Sequence, residues 1–247
     1  MIRIATWNVA GTGEAAWTYV VSTLPADIIL LQECRDPAAY LSADVYKQNG
    51  PCIRWEPNND NRGKGIAIYT RGLRLDTIPF PHHPGWAQVA DVTIGNGPGI
   101  RLVNVHGEVK KNYYITDTLN TIMDDLFPLM PPNTYLLLGG DLNVSLLYGE
   151  RTRNPRHKMF LERLANECAL VNCTARYFPV EPRTIRGRGQ RQIAPYQDDY
   201  LFASPPLADR LVKVEVLDNP EIQKISDHNP VIAFFQEDKD SELLSRS

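Results

Sequence analysis

Nowhere in the 247 residues is there a run approaching the ~20 apolar positions of a membrane helix, so a helical membrane span is excluded. The opening stretch, MIRIATWNVAG, lacks the long apolar core of a secretory leader, which makes a cytoplasmic location the expectation. Cysteine is scarce. Cys34, Cys52, Cys168 and Cys173 show no CxxC spacing, which argues against a zinc site, and a chain this long needs no disulfide framework. Reduced thiols are expected, with a Cys168–Cys173 bridge left open as the alternative. No Pro/Gly/Ser linker and no internal repeat divides the chain, so one domain over 1–236 with a solvated, flexible tail at 237–247 is expected. There is no P-loop motif either: Gly63 and Gly65 read as a turn and a place of close strand packing.

What the chain does have is an ordinary globular balance, 43% apolar and 22% charged, with a formal charge of −3. The charge is unevenly spread. RTRNPRHK at 151–158 carries arginine and lysine with no acid, and RYFPVEPRTIRGRGQR at 176–191 carries arginines against the single acid Glu181. Acidic residues gather elsewhere, so a positive face on a net-negative protein is expected.

The apolar runs IRIATWNV, ADIILLQE, GKGIAIYT, WAQVADVTI, GIRLVNVHGE, NTYLLLGGD, DDYLFAS, LVKVEVL and NPVIAFF read as strands. Helical spacing marks Trp17 to Leu24, a segment over 112–127 through Ile115, Leu119, Ile122 and Leu126, and one over about 156–168 whose stripe Phe160, Leu161, Leu164 and Cys168 is core. Strands outnumber helices and helices separate several of them, which points to a layered α/β body with sheet packed on sheet and helices outside. His82 and His83 sit in the proline-rich loop PFPHHPGW without an ordered third ligand, and a loop role fits them better than a metal site.

Asn8, Glu33, His106, Asp141 and Asn143 each follow an apolar β-run; Asp199 opens one, and Asp227 and His228 precede the last. Alone, any of them is a turn or cap residue. Together they are the chemistry that phosphodiester hydrolysis requires. The substrate is an anion that repels hydroxide, and a divalent cation neutralises developing charge and fixes geometry. Mg²⁺, with Mn²⁺ as a substitute, takes hard oxygen ligands such as Glu33, and Asn8 can hold that carboxylate or a metal-bound water. Asp141 can accept the proton of the attacking water, Asn143 can hold the phosphoryl group, and His228 with Asp199 forms an imidazole–carboxylate pair.

The ordered series TWNVAG, LLQE, GKGIAIYT, VNVHGE, GGDLN, DDYLFAS and SDHNPV resembles the endonuclease/exonuclease/phosphatase superfamily over residues 2 to about 235. The resemblance implies a four-layer α/β/β/α sandwich of two packed mixed sheets with the site at one edge. It places Asn8 and Glu33 at the metal, Asp141 and Asn143 at the water and the phosphate, and Asp199 behind the histidine His228. It puts Asp227 at a position sometimes proposed to touch metal, and His106 at a phosphate contact that is a histidine in deoxyribonuclease-type members and a tyrosine in the repair branch. Members are assigned either Asp or His as general base, and both stay open here.

Arginine-rich loops between GGDLN and DDYLFAS, with tyrosine interleaved, suit a nucleic-acid backbone: Arg183, Arg186, Arg188, Arg191 and Tyr196 are the candidate substrate contacts. The WCDR block of the inositol-phosphatase branch is absent. Tyr196 stands where repair enzymes place an aromatic against an abasic sugar, although APYQDDY departs from that branch's GxRxDY form. The expected protein is a monomeric metal-dependent nuclease with DNA favoured over RNA. A phosphatase or phosphodiesterase of small nucleotides or lipid headgroups, and a non-catalytic nucleic-acid-binding protein, are the alternatives.

Overall fold

Where the sequence alternates or stays apolar between turn residues, the chain is extended. The computed structural model describes residues 1–58, 63–95, 97–109, 114–131, 134–186 and 196–237. Its strands are β1 (Ile2–Asn8), β2 (Ile28–Arg35), β3 (Ile53–Pro57), β4 (Lys64–Thr70), β5 (Arg74–Ile78), β6 (Ala87–Thr93), β7 (Ile100–His106), β8 (Tyr135–Asp141), β9 (Val171–Asn172), β10 (Asp199–Ala203), β11 (Leu211–Val216) and β12 (Val231–Phe235). They form two six-stranded mixed sheets, ordered β11-β12-β1-β2-β4-β3 and β5-β6-β7-β8-β10-β9. The helices are α1 (Glu14–Ser22), α2 (Pro37–Tyr40), α3 (Ala43–Asn49), α4 (Ile115–Leu126), α5 (Leu146–Thr152), α6 (Arg156–Asn166), α7 (Pro205–Ala208) and α8 (Pro220–Ile225).

Three apolar layers hold the stack together. Between the sheets, Ile4, Leu30, Leu102, Leu137 and Leu201 pack with no exposed surface. Outside the first sheet, Trp17, Val20 and Leu24 of the α1 region and Ile222 of α8 cover Trp7 and Ile29. Outside the second, Leu119, Ile122 and Leu126 of α4 and Phe160 and Leu164 of α6 cover Val103, Val105 and Leu138. Each fully buried leucine or isoleucine contributes roughly 1.5–3 kcal/mol. This is the expected α/β/β/α sandwich.

Three strands escaped the sequence reading. β3, β5 and the two-residue β9 are edge strands, partly exposed, with too short an alternation to stand out. All four cysteines are free. His83 pairs with Asp125 of α4 at 2.9 Å, a structural contact. The expected tail lies outside the described residues from position 238 onward.

Candidate active site at the strand ends

Pairing register assembles the site. β7 and β8 run parallel with His106 beside Asp141, and β10 runs antiparallel to β8 with Asp199 on the other side of Asp141. Three site residues therefore stand abreast in one sheet. In the facing sheet, β1 ends at Asn8, level with Gln32 of β2. The turn before β12 brings His228 to the same end. Ser226 Oγ donates to the Asn8 carbonyl at 2.7 Å and accepts from the His228 amide at 3.0 Å, and Trp7 Nε1 donates to the His228 carbonyl at 3.0 Å.

Strand alternation aims the side chains. Ile2 and Ile4 of β1 face the other sheet, so Thr6 and Asn8 do too; Ile100 and Leu102 carry Asn104 and His106 the same way. Leu137, Gly139 and Asp141 follow suit in β8. Gly140 between them answers for the double glycine: its φ is +152°, and a Cβ there would meet the Val105 carbonyl oxygen at 1.7 Å.

Glu33 breaks the alternation. Ile28, Leu30 and Gln32 face the other sheet, which would turn Glu33 outward. The β2–β4 register instead slips between Leu31 and Cys34, and Glu33 takes φ +51°. After this bulge Cys34 packs outward with the α1 layer, and Glu33 is released toward the site. Asn104, in the opposite sheet, braces the irregular stretch. Its amide donates to the carbonyls of Leu31 at 3.1 Å and Ala67 at 3.0 Å, and its oxygen accepts from Gln32 Nε2 at 2.7 Å.

The convergence is close. Asn8 Nδ2 donates to Asp141 Oδ2 at 2.7 Å, and Asn8 Oδ1 accepts from the Ala10 amide at 2.8 Å. Asn8 thus turns its amide to Asp141, not to Glu33. His228 Nδ1 lies 2.9 Å from Asp199 Oδ2, and its Nε2 lies 3.9 Å from Asp141 Oδ2. His106 Nε2 stands between two carboxylates, 3.9 Å from Asp141 Oδ2 and 4.0 Å from Glu33 Oε1, and its ring packs on Trp86 at 5.1 Å. Asn143, with φ +51°, donates its amide to the Gly107 carbonyl at 3.3 Å, and its backbone N–H donates to Asp141 Oδ1 at 3.0 Å.

Burial sharpens the electrostatics. It opposes the charged form of His228, yet Asp199 and Asp141 outweigh it and lift the imidazole to about 10, so it is an imidazolium at neutral pH. His106 goes the other way: burial outweighs Asp141 and Glu33 and lowers its pKa. Burial and the neighbouring Asp199 raise the Asp141 carboxyl despite His228. Burial also opposes the charge of Glu33, but a hydrogen bond from Lys64 and the nearby imidazoles hold its pKa below the usual range.

Other sequence candidates take varied places. Asp227 is half-buried, its carbonyl accepting from the Arg186 amide at 2.8 Å, and its charge adds to the lift on His228. The Arg186 guanidinium bonds Asp218, the Asn229 oxygen and the Ser226 carbonyl, which fastens the turn carrying His228. Arg183 lies 3.5 Å from Asp218. Tyr196 sits edge-on to Tyr148 at 5.4 Å, its hydroxyl accepting from Arg151 at 3.1 Å. Arg188 and Arg191 lie outside the described residues.

Sequence reading missed several supporting groups. Lys64 ion-pairs with Glu33. Thr184 Oγ1 accepts from the Asp198 and Asp199 amides at 2.9 and 3.1 Å. Glu181 accepts from Ser145 Oγ, the Leu146 and Leu147 amides and Tyr200 Oη, all within 3.0 Å, which ties the arginine-rich segment to the start of α5. A lone acid among arginines was the available signal for that anchor.

The residues fit a hard divalent cation. Glu33 offers a carboxylate already matched to positive charge. Carboxylate oxygens of Asp141 and Asp199 lie within 4.8 Å of one another, and Asp199 Oδ1 is buried with no hydrogen-bond partner among the described residues.

Fold and site together define a hydrolytic enzyme of the nuclease–phosphatase type. The chain belongs to the Endonuclease/Exonuclease/phosphatase family, whose sequence model matches residues 5–228. Among solved structures it is similar to an AP endonuclease from Archaeoglobus fulgidus (19% identity, 96% of this chain and 100% of that one, TM-score 0.70). It is also similar to a 3′-5′ exonuclease from Neisseria meningitidis (21% identity, 96% and 100%, TM-score 0.70). A third is a 3′ phosphatase from Neisseria bound to a product DNA hairpin (19% identity, 96% and 100%, TM-score 0.70). At these identities the likeness is one of fold. A comparison with curated proteins finds no match.

Proposed function

We propose that the protein is a Mg²⁺-dependent phosphodiester hydrolase, with Mn²⁺ as substitute, that cuts nucleic acid by in-line attack of water and prefers DNA to RNA. The observation that carries this reading is the convergence of Asn8, Glu33, His106, Asp141, Asp199 and His228 from two sheets into one cluster at the strand ends. The family match and the DNA product held by the similar phosphatase support it.

Glu33, with Asn8 and Asp227, would hold the cation, which supplies Lewis-acid neutralisation of the phosphate. Asp141, whose carboxyl pKa burial raises, orients the attacking water and takes its proton. Asn143 holds the phosphoryl oxygen by its amide. His228, charged by its two aspartates, stabilises charge growing on the phosphate. His106, held toward its neutral form, contacts a phosphate oxygen without cancelling Glu33. Arg183, Arg188 and Arg191 grip the backbone, and Tyr196 with Tyr148 offers an aromatic wall to a base or an abasic sugar. Arg186 acts through the His228 turn. A monomer in a reducing compartment suits the free cysteines, and among the described residues no helix is long and apolar enough to cross a membrane.

The test is a panel of plasmid, abasic duplex, single strands, RNA and 3′-phosphorylated ends, each with Mg²⁺ or with chelator. DNA cleavage that chelation abolishes is expected; full cleavage under chelator sinks the reading. Release of phosphate from small esters, unaffected by loss of Arg188 and Arg191, would favour the phosphatase alternative. Tight DNA binding without turnover would favour a non-catalytic role.

A further inference from the structure

The cation that already sits on Glu33 belongs to the chain. Lys64 Nζ lies 2.5 Å from Glu33 Oε2, and both side chains are about four-fifths shielded, at 21% and 23% exposure. Three features build the pair. The slipped register of β2 against β4 sets Lys64 opposite Arg35, just past the bulge that frees Glu33. The lysine stem runs in a slot opened by Gly11: at its φ of +75°, a Cβ would meet Lys64 Cε at 2.4 Å and Nζ at 2.9 Å. Finally, Glu33 Oε1 faces His106 only at 4.0 Å, so the cation in direct hydrogen-bonding contact with the Glu33 carboxylate is Lys64.

Resting on the reading that Glu33 holds the metal, we propose that Lys64 is a built-in competitor for the divalent cation. Its ammonium balances Glu33 in the metal-free protein and leaves when the cation binds, so Lys64 sets how tightly the site loads. A hard cation seats ~2.1 Å from a carboxylate oxygen, and there it would stand beside the ammonium, where like charges on mostly shielded side chains repel. The arrangement also has a use before loading. Without a counter-ion Glu33 would add its charge to the buried carboxylates of Asp141 and Asp199. With Lys64 in place the metal-free site stays folded and Glu33 stays aimed, at a cost in metal affinity.

The test is calorimetric titration of Mg²⁺ and Mn²⁺ into the wild type, K64M, K64R and E33Q. K64M, which keeps the stem and removes the charge, should bind metal about three- to ten-fold more tightly, the scale of a partly buried ion pair. K64R should stay within about two-fold of wild type, since it keeps the charge. A second measurement uses the unaltered protein: acylation of Lys64 by an amine-reactive reagent, read by peptide mass spectrometry, should be slow without metal and rise in step with metal occupancy. K64M binding no tighter than wild type, or Lys64 equally protected at saturating metal, overturns the inference. Metal binding that E33Q leaves undiminished overturns the assignment of metal to Glu33 and this inference with it. Binding that E33Q abolishes, with K64M at wild-type affinity, overturns the inference alone.

Discussion

The two ends of the inter-sheet layer are built from the same strands and obey opposite rules. At the far end Ile2, Ile28 and Ile100 fill the gap, and charge stays at the margin in complementary pairs: Arg3 grips both oxygens of Asp27 at 2.8 and 3.0 Å, and Arg101 grips both of Asp91 at 2.8 Å. Next to the other end, Gln32 of one sheet donates to Asn104 of the other and to Thr6 of its own sheet. At the last rung stand Asn8, His106, Asp141 and Asp199, all buried. There carboxylates crowd one another, Glu33 and Asn143 take left-handed backbone conformations, and one aspartate oxygen lacks a partner. Crowded carboxylates and left-handed backbone at one end of the layer mark the place where stability was given up for chemistry. Substitutions at the two ends should therefore separate activity from stability.

Asp141→Asn makes that separation widest. It removes the candidate proton acceptor while keeping size and one acceptor oxygen, so turnover should fall about 10³-fold, within the range for loss of a general base. The melting temperature should hold within a few degrees, because the lost carboxylate was buried among like charges. Cleavage assays and thermal melts on the same preparation decide it. A variant that loses stability and activity together would show the aspartate to be part of the scaffold.

How far the sequence foretold this depended on the range of each contact. Asn8, His106, Asp141 and Asp199 were legible because each ends or opens an apolar run, and parallel or antiparallel register brings such ends together. Glu33 was legible as a strand-end acid, but its direction was not. Alternation points it outward, and only the register slip against β4 reverses it. No glycine marks that bulge. Lys64, Asn104 and Thr184 act on residues far away in sequence, and nothing local distinguishes them from ordinary strand or loop residues; Glu181 alone carried a local signal, as the single acid among arginines. Arg186 teaches the same lesson about charge: a cluster of arginines does not reveal which one faces solvent and which one holds the turn of His228.

His228 sharpens the contrast through pH. Its folded pKa is raised, from 6.5 to about 10, so the protonated ring is the favoured one in the folded state. The stabilisation is full below pH 6.5 and is lost as pH rises through about 10, at most about 1.4 kcal/mol per pH unit between them. Urea unfolding from pH 6 to 10 should show the wild type losing its advantage over His228→Asn steadily across that window. Parallel curves would mean that the ring is neutral in the fold. Activity carries the same sign: the imidazolium is available throughout the neutral range, and loss of its charge should not limit turnover below about pH 9.

The far end supplies the control. Asp27 accepts from the Arg3 backbone N–H at 2.9 Å as well as from its guanidinium. Burial opposes the Asp27 charge, but those bonds and the nearby Arg71 win and lower its pKa, so its contribution is present at neutral pH and is lost as pH falls through the acid range. Arg3 and Asp27 are partly exposed, at 38% and 22%, and solvent screens the pair. Asp27→Asn should therefore cost only about 1 kcal/mol or less at neutral pH. It should leave turnover and metal affinity at wild-type levels, because the purely apolar rungs of Ile2, Ile4, Leu102 and Leu137 lie between that pair and the site. A measurable fall in turnover with Asp27→Asn would mean that the two ends are coupled through the sheets, and that the division of labour along the layer does not hold.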